Sequence, residues 1–409
     1  MRLQRLMTSL CLVLVALSTS AAWPVDRSEY RVPVHAFAGE ALGPYQTGTV
    51  EELWVDSARD EASTAELADK RHLMVQIWYP ATFEGDPQRA PYALQRELYP
   101  HDDELRWLDA ASNVRTTSVL KAPLAAQPQR FPVLIYGPGS GYPHFSGTFQ
   151  AEFLASHGYV VVSVGHTDVS RITRFPDGYA YRRDRSMPTV TEEQRKTLST
   201  AEVLEEWVRQ TGTLEISVHV QDISFALDQL QSMNATRGNR FHGRLDLERV
   251  GAFGWSLGGV ASVQASRDEP RIKAAVNLDG RLYSDVASTG THRPILQMHG
   301  TAGKPSDPGP GGRETQLLGD SFFWRLYSRS DADWYDLTLQ GATHRHFSDR
   351  TLFEAADPPL MHPRLAHEIV NRYTLEFFDK YLRDRTDSPL LSGAQTYPDT
   401  VLVTSARQP

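Results

Sequence analysis

The five residues Gly254-Trp-Ser-Leu-Gly258 constrain this chain more than any other stretch. Ahead of them Arg249-Val-Gly-Ala-Phe253 is a short apolar run of strand type, and behind them Gly258-Gly-Val-Ala-Ser-Val-Gln-Ala-Ser266 has the composition of a helix. Strand, Gly-x-Ser-x-Gly and helix together force a turn so sharp that the serine backbone is strained and its hydroxyl stands clear of the sheet. Glycines two before and two after the serine remove the Cβ atoms that would collide there. With 28 glycines in the chain such a pentad also arises by chance in loops. The strand before it and the helix after it are what make Ser256 a nucleophile candidate.

The surrounding order predicts a parallel sheet. Phe131-Pro-Val-Leu-Ile-Tyr136 reads as a buried strand running into Gly137-Pro-Gly-Ser-Gly141, then a helix to about Ser156, then the strand Tyr159 to Val164. Strand, helix, strand at that spacing is a crossover between parallel neighbours. A long helix follows at about Leu214 to Met233, with Ile216, Val220, Ile223, Leu227 and Leu230 on one stripe. After the pentad come strands at Ile272 to Leu278, Pro294 to Met298 and Trp334 to Leu339, with helices expected at 318–328 and from Pro363 to Arg383. Upstream, Thr47 to Val55 and Leu73 to Tyr79 form an antiparallel edge. The fold class is therefore α/β: a mostly parallel central sheet with helices on both faces and an antiparallel N-terminal edge. Residues 167–213 read as a polar insertion, and the tail from Thr386 as surface chain.

A serine hydroxyl is a weak nucleophile until a base takes its proton, and the base needs a carboxylate to fix its tautomer. Ser256, Asp279 and His344 end successive strands in the order the α/β-hydrolase fold uses. His344 stands nearest its strand, with His346 as the rival base; His299 and His166 also end strands. Asp279 is the acid candidate, with Asp307 as its rival. The His-x-His pair has no third clustered ligand, so neither a metal nor any cofactor is expected. Two backbone N–H groups should face the developing oxyanion: Leu257, directly after the nucleophile, and Ser140 in the Gly-rich loop.

Residues 1–22 read as a secretory signal: Arg2 and Arg5 precede the apolar run Leu6 to Leu17, and Ser20-Ala-Ala22 offers small residues for cleavage near Trp23. That run is shorter than the roughly 20 residues a bilayer-spanning helix needs, and no later segment is long enough either. The mature chain, 23–409, is expected to be one domain without an integral membrane segment. The single cysteine, Cys11, lies in the leader, so export without disulfides points to a bacterial periplasm or medium. A formal net charge of −8, more negative once Arg2 and Arg5 are lost, does not suggest the basic face a nucleic-acid binder needs. Arg171, Arg174, Arg182, Arg183 and Arg185 cluster in the insertion, as an anion site or a solvated face.

Gly254-Trp-Ser-Leu-Gly-Gly259, Asn277-Leu-Asp-Gly280 and Gly341-Ala-Thr-His344 with Phe347 and Asp349 resemble the platelet-activating-factor acetylhydrolases, the group VII phospholipase A family of serine esterases. The resemblance extends to Gly43-Pro-Tyr45, Gln76-Ile-Trp-Tyr-Pro80, Pro132 to Gly141, Leu154 to Gly158 and Val220 to Leu230. It implies Ser256, Asp279 and His344 as the triad, Leu257 and Ser140 as oxyanion donors, and short-chain acyl or oxidised phospholipid esters as substrates. Pro138 departs from it, standing where the family usually has a His. Bacterial polyester hydrolases and general carboxylesterases share the elbow and stay open as alternatives. A non-catalytic binding protein of the same fold would have lost part of the triad.

Overall fold

A strand sandwiched between two helical layers must be apolar on both faces. Phe131–Gly137 and Val160–Gly165 meet that condition, with every residue buried. The computed structural model describes residues 21–22, 43–61, 69–94, 107–111, 114–167, 169–182, 202–203, 206, 210, 215–282, 284–302, 320–353 and 360–406. Most of the expected leader, Asp307, Arg183, Arg185 and most of the polar insertion lie outside the described residues.

The strands in chain order are β1 (Ala21–Ala22), β2 (Gln46–Asp60), β3 (Lys70–Ala81), β4 (Arg89–Pro91), β5 (Arg115–Leu120), β6 (Phe131–Gly137), β7 (Val160–Gly165), β8 (Ile172–Arg174), β9 (Ala180–Arg182), β10 (Leu245–Trp255), β11 (Ile272–Leu278), β12 (Ile295–Gly300), β13 (Trp334–Leu339), β14 (Gln395–Thr396) and β15 (Thr400–Thr404). The helices are α1 (Trp107–Ala111), α2 (Thr148–Ser156), α3 (Ser217–Ala235), α4 (Leu257–Asp268), α5 (Val286–Thr289), α6 (320–329) and α7 (Pro363–Leu382).

Eleven strands form one sheet in the order β15-β13-β12-β11-β10-β6-β7-β3-β2-β5-β4. From β13 to β7 every neighbouring pair is parallel, and β3 then adds antiparallel to β7 and pairs with β2 along most of its length. This is the mostly parallel α/β-hydrolase architecture with an antiparallel N-terminal edge that the sequence predicts. Alternation along β6 sorts its side chains between two cores. Val133 and Ile135 join Ile223, Leu227 and Leu230 of α3 and Val260 and Ala261 of α4; Leu134 and Tyr136 join Phe153 and Leu154 of α2 and Ile369, Tyr373 and Phe377 of α7.

The C-terminal tail departs from expectation. It does not run over the surface: β15 pairs antiparallel with β13 and completes the sheet, while Leu390, Leu391 and Tyr397 are buried. Its Thr-Val-Leu-Val-Thr sequence is β-branched and supplies the partner that the edge of β13 would otherwise lack. The start of the insertion is also ordered, as the hairpin β8–β9.

Candidate active site

Parallel strands deliver their C-terminal ends to one edge of the sheet, and the chain's reactive side chains leave from there. Between β10 and α4 the backbone reverses at Ser256, whose φ of 56° and ψ of −121° lie outside the regions a residue with a Cβ prefers. Such a conformation costs on the order of 1–3 kcal/mol and survives only where its surroundings impose it. Here Ser256 N–H donates to Leu278 O at 2.9 Å, and the start of α4 lies against the end of β6, where a Cβ on Gly258 would strike the Gly137 carbonyl.

Asp279 is held at a second strained turn, with φ of 55°. Asn277 spans it: its side chain accepts from Gly280 N–H at 2.9 Å and donates to Gly280 O at 2.7 Å. The carboxylate of Asp279 accepts from Gly300 N–H through Oδ1 (3.1 Å) and meets His344 Nδ1 through Oδ2 (2.7 Å). On the other side of the ring, His344 Nε2 lies 3.0 Å from Ser256 Oγ. A carboxylate at Nδ1 fixes the proton there and leaves the Nε2 lone pair facing the serine. His344 is further held by Trp255, whose indole N–H donates to its carbonyl at 2.9 Å and whose ring lies 5.1 Å from the imidazole. The imidazole side chain is 47% exposed, so the three groups open to solvent at the sheet's edge.

The other histidines have different partners. His346 is buried, with Nδ1 accepting from Thr343 N–H and hydroxyl and Nε2 donating to Met361 O. Burial lowers its pKa, against the hydrogen bonds that favour the cation. His299 lies 3.3 Å from Asp336, and His166 meets Asp222 at 2.8 Å in the interior. Among the described residues no group of three or more His, Cys, Asp or Glu side chains is placed to hold a metal ion.

Leu257 opens α4, and a first-turn N–H has no acceptor within its own helix. Ser140 lies in the turn after β6. That turn is pinned from outside: Gly141 N–H donates to Val169 O (2.9 Å), Tyr142 N–H to Gly139 O (3.1 Å) and Ser170 hydroxyl to Tyr142 O (3.0 Å). Tyr142 also packs edge-on against Trp255 at 4.6 Å. Sequence reasoning assigned no role to Trp255, Asn277 or Ser170. For Asn277 the signal was available, since an Asn two residues before a strained Asp and three before a Gly is an Asx-type bridge in waiting.

Comparison with known proteins places the chain among esterases. A family model described as PET hydrolase-like matches residues 211–288. A probable 1-alkyl-2-acetylglycerophosphocholine esterase of Arthroderma benhamiae is 26% identical over 191 residues, spanning 45% of this chain and 42% of that protein. The platelet-activating factor acetylhydrolase of Gallus gallus is 20% identical over 399 residues, 88% of this chain and 85% of that one. The structure of a ferulic acid esterase from Streptomyces cinnamoneus superposes with a TM-score of 0.63 at 24% identity, covering 89% of this chain and 97% of its own, and shows the shared fold.

Proposed function

We propose that this chain, which is similar to platelet-activating-factor acetylhydrolases and related α/β-hydrolase esterases, cleaves carboxylic esters through an acyl-enzyme on Ser256. The observation that carries this reading is the unbroken run Ser256 Oγ, His344 Nε2, His344 Nδ1, Asp279 Oδ2, with separations of 3.0 and 2.7 Å. In this reading His344 takes the hydroxyl proton as Oγ attacks the ester carbonyl. Asp279 stabilises the imidazolium and keeps the ring in register. The carbonyl oxygen gains charge beside the N–H groups of Leu257 and Ser140, each worth about 3 kcal/mol to the transition state. The imidazolium then returns its proton to the leaving alcohol, and the same histidine activates water to release the acid.

For substrate we propose small-molecule or lipid esters, with short-chain acyl or oxidised phospholipid esters first. The similarity of residues 211–288 to PET hydrolases favours a second reading, a polyester or general carboxylesterase activity. We further propose that residues 1–22 are removed and that 23–409 acts as one secreted or periplasmic domain, which N-terminal sequencing of exported protein tests. Among the described residues no helix is long and apolar enough to cross a membrane.

The decisive experiment labels the purified chain with a fluorophosphonate, beside Ser256→Ala, and assays p-nitrophenyl esters from acetate to palmitate. Labelling should vanish in the variant and kcat should fall by about 10⁴-fold or more. Activity that drops steeply beyond short acyl groups favours the acetylhydrolase-like substrates, and a flat profile favours the broader esterase. A folded wild-type chain that takes no label overturns the reading and leaves a non-catalytic binding protein of this fold.

A further inference from the structure

Five residues beyond His344, Asp349 is wholly buried, yet it belongs to no part of the proposed triad. Its Oδ2 accepts two hydrogen bonds, from Tyr92 hydroxyl at 2.9 Å and from Phe149 N–H at 3.0 Å. Phe149 lies in the first turn of α2, whose own N-cap residue Gly147 makes no side-chain cap, so Asp349 caps this helix from another part of the chain. The main chain adds a second tie, Asp349 N–H to Ser146 O at 3.3 Å. Residues 146–149 continue the loop that carries Ser140. One residue therefore fastens the loop of the proposed base to the loop of the proposed oxyanion donor.

The other carboxyl oxygen is placed differently. Asp349 Oδ1 has no hydrogen-bond partner among the described residues and faces His367 Nδ1 of α7 at 3.9 Å. His367 Nε2 lies 3.0 Å from Ser348 O, so it is the protonated nitrogen, and Nδ1 presents a lone pair. An ionised carboxylate would thus aim an uncompensated oxygen at a second acceptor inside a closed core. A neutral carboxyl resolves the conflict: the carbonyl oxygen Oδ2 takes both donors, and Oδ1–H points toward the imidazole nitrogen.

We propose that Asp349 is a positioning residue that works as a neutral carboxylic acid, clamping the His344 loop to the segment that continues the oxyanion loop, and that loss of its proton releases the clamp. This rests on the proposed roles of Ser256 and His344. The electrostatic surroundings agree with the geometry. Burial pushes the carboxyl up to about 8, against the pull of the Phe149 and Tyr92 donors and of the Thr148 N–H beside them, and burial holds His367 down at about 4. Among the described residues, the titratable groups facing this carboxyl are Tyr92 after β4, Tyr136 on β6, Glu152 on α2 and His367 on α7, with His346 facing His367 in turn. None of these supplies a cation beside it at neutral pH; Glu152, itself raised by burial, adds to the cost of ionisation.

The test compares Asp349→Asn and Asp349→Ala with wild type. Asn mimics the neutral acid, since its oxygen accepts where Oδ2 does and its amide donates where Oδ1–H does. The readouts are the rate of fluorophosphonate labelling and the kcat and KM for p-nitrophenyl acetate over roughly pH 6 to 10, a span that brackets the carboxyl's titration. Wild type should slow on the alkaline side, while Asn should label within about threefold of wild type at neutral pH and lose that alkaline decline. Ala should lower kcat by about 10- to 100-fold with KM nearly unchanged, the signature of misplaced catalytic groups and not of lost binding. A difference infrared spectrum should also show the carbonyl band of a protonated buried carboxyl in wild type that is missing in Asn. An alkaline decline unchanged in Asn, or Asn as slow as Ala, overturns the proposal; if Ala does not fold, Asn still decides it. A wild type that never labels overturns the triad instead, and an absent infrared band then overturns the neutral-acid clamp separately.

Discussion

His344 and His346 leave the same strand end two residues apart, yet only His344 reaches the serine, because the 3₁₀ turn His344–Phe347 sends His346 inward to Thr343 and Met361. His344→Ala should lower kcat by about 10⁴-fold or more without changing Tm much. His346→Ala leaves Thr343 N–H and Met361 O without partners, so it should cost about 1–3 kcal/mol in a urea titration while the purified folded protein still labels. Asp349 gives a stability signature as well. Its folded carboxyl titrates at about 8 and an unfolded one near 4, so the wild type loses stability relative to Asp349→Asn as pH rises through that window and not below it. Ser256, Asp279 and His344 stand out in the sequence as candidates because each follows a strand with a glycine within three residues of it. The supports do not: Trp255, Asn277 and Asp349 act through contacts between segments far apart in the chain, and periodicity carries no record of those.

α3 illustrates the same limit for a whole element. Its apolar stripe predicted which face packs inward, and Ile223, Leu227 and Leu230 do. The same face carries Asp222, with no exposure at all, bonded to Arg71 of β3 (2.6 and 3.1 Å), to Arg59 of β2 (2.8 Å) and to His166 at the end of β7 (2.8 Å). Burial raises the cost of that charge, but Arg71 and His166 outweigh it and hold the carboxyl far below the usual range. An ion cluster that joins the helix to three strands fixes its position along the sheet, which apolar side chains alone specify loosely. Asp222→Ala should therefore destabilise the fold by roughly 3–5 kcal/mol at neutral pH. Because the folded value is depressed, this contribution is present above the unfolded carboxylate value and fades as pH falls below about 4. Urea titrations of both proteins should converge toward acid pH.

Across the whole molecule the sheet is finished by the segment that the sequence left as surface chain. Removing residues 394–409 would expose the β13 ladder now covered by β15 and would uncover a bare sheet edge. Such a chain should melt at lower temperature and give larger particles by light scattering than the full-length protein. β6 and β7 were readable because each is a continuous buried run; β15 is short, half-exposed and polar at both ends, so its pairing follows from the edge it covers more than from its own composition. β14 has its partner at a distant point of the sequence, with Ala21–Ala22 alongside Gln395–Thr396. Those two alanines fall inside the segment proposed to be removed, so processing near Trp23 would take away the neighbour of β14 and leave that short strand without a ladder partner.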